Sequence, residues 1–286
     1  MALYGAKAEP VRGMFARVQA LIAEHIGASF LPYSMEQIHA TLIAFNGVRD
    51  PASGAIVNEY FLEHTGTSRT MDIDLAMRIL TERFAQPLPV RVGGYRPGDE
   101  VPFRSRGQHL YQRTFSWQGD AFVLVGWPAS PGSASDRVPL DHLRRDLNAA
   151  GLLHRYHARG DDIDGDMHLV VGHRRGARDG GAQDGAVDEA VAAVRDELAA
   201  HPVEFAISIG DVKVVVASNH TLAPPLYVSP IPADASAVLA LTGALPRTPP
   251  GAAPHQGRSE TAPRSAPGHQ LARSNGYKRR IRMTVR

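Results

Sequence analysis

The sequence predicts an α+β fold: two pseudo-symmetric lobes, each an antiparallel sheet with covering helices, set around a central cleft and followed by a disordered C-terminal tail. Three observations predict it. A helix, a histidine-bearing strand, a second helix and a strand pair follow one another in residues 1–130, and the same order returns in residues 131–240. The strand-like runs are joined by short polar or glycine-containing turns, which suit antiparallel pairing and not a doubly wound parallel sheet. Beyond residue 240 the periodic apolar residues stop.

In the first half, VRGMFARVQALIAEHI (11–26) places Val11, Met14, Phe15, Val18, Leu21 and Ile22 on one helical stripe, with Gly27 as the stop. IHATLIAF (38–45) reads as a strand rich in β-branched and aromatic residues. Residues 72–85 repeat the helical period with Leu75, Ile79 and Leu80 inward. Three strand-like runs follow: LPVRVGG (88–94), HLYQRTFSW (109–117) and AFVLVGW (121–127). The last two are separated by Gln118-Gly119-Asp120, a three-residue hairpin signal.

In the second half, Pro139 near the start and Gly151 beyond the end mark residues 138–150 as a helix. MHLVVGH (167–173) reads as a strand and RGARDGGAQDGA (175–186) as a surface loop. Residues 186–200 form a helix with Val187, Ala190, Val191, Val194 and Leu198 on one face. VEFAISI (203–209) and VKVVVAS (212–218), joined by Gly210-Asp211, read as a closing strand pair.

Composition limits the function. A chain of 286 residues, 43% of them apolar, can bury one substantial core or two small ones. With no cysteine it cannot use disulfides, thiolate zinc sites or a cysteine nucleophile. MALYGAKAEPVRGMF has too short an apolar run for a signal peptide, and no segment approaches the roughly 18 uninterrupted apolar residues of a membrane helix, so a cytoplasmic monomer without membrane partners is expected. The net charge of +2 is uneven: residues 246–286 hold nine basic residues and one acidic one, Glu260, for +8, leaving the body at −6. Rich in Pro, Ala, Gly and Ser, residues 241–286 cannot offset their ordering entropy by burial and are expected to be disordered. The run YKRRIRMTVR could make weak nucleic-acid contacts through phosphates.

Within MEQIHATLIAF (35–45), the alternation of a strand puts His39 and Thr41 on one face. In MHLVVGH, His168 and Val170 align the same way. Two imidazoles facing one cleft suit phosphoester chemistry, because a group with a pKa near 6.5 can take a proton from water or a ribose hydroxyl while its partner gives one to the departing oxygen. The Thr41 hydroxyl would hold a phosphoryl oxygen. Tyr111 and Arg113, on one face of the run 109–117, and Arg174, after the second histidine strand, are candidate phosphate contacts. Neither histidine motif has metal-ligand spacing, so neither a metal nor another cofactor is expected. His154 and His157 in HRYH read as a solvated loop, and DDIDGDMH (161–168) as a polar turn, since its glycine is misplaced for a calcium loop.

These residues resemble the two-histidine (2H) phosphoesterase superfamily, which includes the 2′-5′ RNA ligase-like enzymes and cyclic phosphodiesterases. Its signature is a pair of His-x-Thr/Ser-x motifs, one per lobe of a duplicated α+β fold. His39-Ala40-Thr41-Leu42 is similar in full; His168-Leu169-Val170-Val171 is similar in its histidine and strand context, with Val170 where the hydroxyl would stand. The resemblance spans about residues 11–230. It implies a metal-independent phosphodiesterase acting on cyclic or 2′-5′ phosphodiesters of RNA ends or nucleotides, with His39 and His168 as the acid–base pair. The alternatives are a non-catalytic nucleotide or RNA-end binding module of the same fold, and a structural domain whose histidines are simply buried.

Overall fold

The computed structural model describes residues 1–50, 52–129, 134–157, 163–176, 185–219 and 221–244. The expected disordered tail lies outside the described residues from 245 onward, as does most of the 175–186 loop.

The fold is mixed α+β with antiparallel sheets. Its first helix, α1 (Val11–Ile26), buries Val11, Met14, Phe15, Val18 and Ile22, five of the six residues of the stripe read from the sequence. Three short strands come next, β1 (Phe30–Pro32), β2 (Gly47–Arg49) and β3 (Ile56–Asn58), then helices α2 (Glu59–Thr65) and α3 (Ile73–Arg83). Both helices are capped from the sequence: the Asn58 and Asp72 side chains accept from the N–H groups of Phe61 and Leu75. Strand β4 (Leu88–Val92) leads to a short helix, α4 (Leu110–Thr114), and then to the hairpin β5 (Phe115–Gln118) and β6 (Ala121–Pro128). Helix α5 (Val138–Asp146) precedes β7 (Met167–Arg174), α6 (Gly185–Ala200), β8 (Val203–Ile207), β9 (Lys213–Ala217), β10 (Pro225–Pro230) and α7 (Ala235–Ala244).

Six strands form one sheet in the order β1-β7-β6-β4-β8, with β5 also on β6. All its pairs are antiparallel. The sheet draws strands from both sides of residue 130: β8 pairs with β4, and β7 lies between β1 and β6. Helices α1 and α6 pack on each other and are tied by the Arg17–Glu197 ion pair. Strand β6 is buried along its whole length, because Phe122 and Leu124 join the main core while Val123, Val125 and Trp127 join a smaller cluster with Tyr95 and Leu110 on the opposite face. A continuous apolar run is what a strand covered on both faces requires. At Gly172 of β7 an added Cβ would stand 2.5 Å from the Phe30 ring and 2.6 Å from the Leu31 carbonyl, so only glycine admits β1 there.

Several local expectations are corrected. The run 109–117 is a turn of helix followed by a strand, because the His109 side chain caps the chain by accepting from the Tyr111 N–H. The runs 203–209 and 212–218 do not pair with each other: a 3₁₀ turn over Ile209–Asp211, closed by a Ser208–Asp211 capping box, sends β8 to β4 and β9 to β10. Residues 38–45 form no ladder, and make single antiparallel bridges from Ala40 to Ala2 and to Leu169. No helix among the described residues is long and apolar enough to cross a membrane.

Candidate functional site

The bridge between Ala40 and Leu169 organises the site. Both residues turn into the core and are fully buried, so their neighbours His39, Thr41, His168 and Val170 turn to the opposite face, where all four are half-buried. An antiparallel pair has a local twofold axis through its centre. Here that axis relates His39 to His168 and Thr41 to Val170. The two histidines therefore flank the bridge on one face.

Beyond the bridge the two chains are held by Arg144 of α5, only 1% exposed. Its Nε donates to the Leu42 carbonyl at 3.0 Å, its Nη1 to Asp164 O at 2.8 Å, and its Nη2 to Thr41 O at 3.3 Å and Asp166 O at 3.0 Å. The guanidinium thus substitutes for the ladder that the segment 38–45 does not make. Gly165 lets this segment pass close to Arg137 before α5, since any Cβ there would overlap the Arg137 backbone.

His39 donates from Nδ1 to the Gln37 carbonyl at 2.6 Å, which leaves Nε2 as the nitrogen with a lone pair. Burial pushes its pKa down to about 4, against the hydrogen bond to Gln37 and helped by the positive charge of Lys7. The ring is neutral at pH 7. The Thr41 hydroxyl donates to the Met1 sulfur at 3.2 Å.

His168 has a different setting. Arg113, at the end of α4 and 5% exposed, approaches its Nε2 to 2.9 Å, and the same Nη2 donates to Asp166 Oδ2 at 2.8 Å. A guanidinium cannot accept, so Nε2 of His168 is the acceptor. Burial lowers the His168 pKa to about 3; Asp166 opposes this, and Arg106, Arg113 and Arg144 add to it. Asp166, 3% exposed, also accepts from the Ser105 hydroxyl at 2.7 and 2.8 Å and from Trp127 Nε1 at 2.7 Å. Burial opposes its ionisation, but His168 and Arg113 beside it, with the Ser105 hydroxyl, hold the carboxyl well below the usual range. Arg106 lies over the Tyr156 ring at 3.8 Å, and that ring is 6.1 Å from the imidazole of His168.

Of the residues expected from the sequence, Arg113 contacts His168, and the Ala40–Leu169 bridge sets His39 and Thr41 on the chain segment beside them; Tyr111 and Arg174 lie elsewhere. Tyr111 faces α6 and donates to Asp196 at 2.7 Å, because the helical turn at 110–114 removes the alternation that would have aligned it with Arg113. Arg174 sits at the far end of β7, over the Trp117 ring at 5.7 Å. His154 and His157 are buried, which corrects the solvated loop: His157 Nε2 lies 2.8 Å from Asp141 Oδ1, and His154 Nδ1 3.5 Å from Asp164 Oδ2. Asp164 and Asp166 are likewise buried and not in a polar turn. Among the described residues no group of three His, Asp or Glu side chains could hold a metal ion.

The sequence reading missed Asp166, Arg144, Arg106, Ser105 and Tyr156. The alternation Asp164-Gly165-Asp166 just before a histidine strand was the available signal, since two aspartates entering an apolar run need buried partners. Compared with known proteins, the chain matches no family model, no curated protein and no solved structure.

Proposed function

We propose that this face binds a phosphodiester of an RNA end or a nucleotide, and that His39 and His168 hydrolyse it as a metal-independent acid–base pair, as in two-histidine phosphoesterases. The observation that carries the reading is that the middle residues of the two motifs, Ala40 and Leu169, pair with each other.

In the hydrolytic step His39 Nε2 takes a proton from water, and the water oxygen bonds to phosphorus. The bound phosphodiester draws Arg113 off His168 Nε2, which then takes up a proton from solvent. That proton passes to the departing ribose oxygen as its bond to phosphorus breaks. Arg106 and Arg113 supply positive charge beside the phosphoryl oxygens.

A second reading, a binding module without turnover, is favoured by the Arg113 contact on His168 Nε2 and by Val170. Incubation with nucleoside 2′,3′-cyclic monophosphates, with and without EDTA, separates the two. The enzyme reading expects turnover that survives EDTA and falls about 10²–10⁴-fold in both His39→Ala and His168→Ala. Saturable nucleotide binding with no turnover leaves the module.

A further inference from the structure

The chain has three lysines among its 31 basic residues, and two of them, Lys7 and Lys213, line one cavity of about 260 Å³. Lys7 Nζ donates to the Gly5 carbonyl at 2.7 Å. Lys213 Nζ lies beside the same residue: a Cβ on Gly5, whose φ is +100°, would stand 2.9 Å from it. The missing side chain at Gly5 makes room for the Lys213 ammonium group. The carboxylates of the lining are engaged elsewhere. Glu9 accepts from Arg12 and from the Gly13 N–H, and Asp211 from the Ser208 N–H and hydroxyl. Glu36 attracts Lys7 without forming an ion pair with it, and Lys213 repels it. Burial first, and then the charge of Lys213, push Lys7 down to about 8.

Two half-buried cations that repel across a cavity complement an anion with more than one oxygen. The cavity also adjoins the histidine site. Tyr4 lines it, and the Tyr4 ring is 6.0 Å from that of His39.

We infer that this cavity receives a second phosphate of the substrate, next to the phosphodiester held at His39 and His168. The preferred substrate class is then an oligonucleotide end or a nucleotide with a further phosphate, over a cyclic mononucleotide with a free 5′-hydroxyl. The inference rests on the phosphodiester reading for the first phosphate.

The test is calorimetric titration with adenosine 2′,3′-cyclic phosphate and with its 5′-phosphorylated form. The added phosphate should tighten binding to the intact protein about tenfold or more, as charge-assisted hydrogen bonds do. That gain should vanish in Lys7→Gln and in Lys213→Gln, persist in Lys7→Arg and Lys213→Arg, and persist in His39→Ala. Equal affinity of the intact protein for the two ligands overturns the subsite without any variant being needed. A gain untouched by both Gln variants overturns it as well. Turnover is scored separately: a preserved gain with no hydrolysis of either ligand rejects the enzyme reading and keeps the subsite.

Discussion

Arg113 Nη2 lies 2.9 Å from His168 Nε2, and since the guanidinium can only donate, His168 is held as the neutral Nδ1–H tautomer. Nitrogen-15 NMR of the imidazole should show Nε2 unprotonated at pH 7 and no titration of this ring above pH 4, consistent with a pKa of about 3. A midpoint near 6.5 would remove the contact.

For the enzyme reading, the depressed values of both histidines set the shape of the pH profile. His39 must be neutral to accept a proton, which holds above about 4, and His168 must gain one, which becomes harder as pH rises from about 3. The expected kcat/KM therefore has its optimum on the acid side of neutrality. A profile centred at pH 8 would exclude His168 as the proton donor.

Val170 occupies the position that the dyad relates to Thr41. Val170→Thr keeps a β-branched residue on a half-buried face and adds a hydroxyl, a donor for a phosphoryl oxygen. Turnover of a cyclic nucleotide should rise at least about tenfold, a modest share of what one preorganised donor contributes. An unchanged rate with unchanged stability would mean that no phosphate passes this face.

Arg144 satisfies four backbone carbonyls from two chain segments while fully buried. Arg144→Met should lower stability by about 3–5 kcal/mol in urea unfolding, because the Asp164 carboxyl loses its ion-pair partner and the carbonyls their donor together. A loss below about 1 kcal/mol would show that the strands hold without it.

Burial lowers the pKa of both His154 and His157 from the ordinary 6.5, with Arg144 nearby adding to the effect. The folded form then binds fewer protons than the unfolded chain below pH 6.5, so stability is full above that value and falls as pH drops toward the folded-state pKa values. The urea midpoint should be lower at pH 5.5 than at pH 7.5. His157→Gln should flatten part of that slope, and an identical slope in the variant would point to other groups.

Apolar period made the secondary structure largely legible. Helix α1 follows its predicted bounds, and β6 and β7 fall within a residue of theirs, because their side chains meet the core that the period anticipates. The segment 38–45 was misread because its composition is strand-like while its backbone partners are one residue of β7, one residue near the N-terminus and an arginine side chain from α5. Partner choice was equally hidden: nothing in VEFAISI says that it joins β4 and not the run that follows it. At the site, alternation placed His39 and Thr41 together, but Arg113 reached His168 from a helix that the alternation of 109–117 concealed. The aspartates and HRYH histidines look polar as letters. Their burial is visible only once the arginines that neutralise them are in place.

The six-stranded sheet has a consequence for synthesis. Its edge pair joins Leu88 to Ile207, and β1 closes on Gly172 and Arg174. Such distant pairings form late, since loop closure must precede any reward from contact. A chain emerging from the ribosome therefore carries the first histidine motif long before β7 exists to pair with Ala40. Until then the edges of β4 and β6 that β8 and β7 later pair are open, so the nascent first half carries unpaired strand edges that the finished sheet does not.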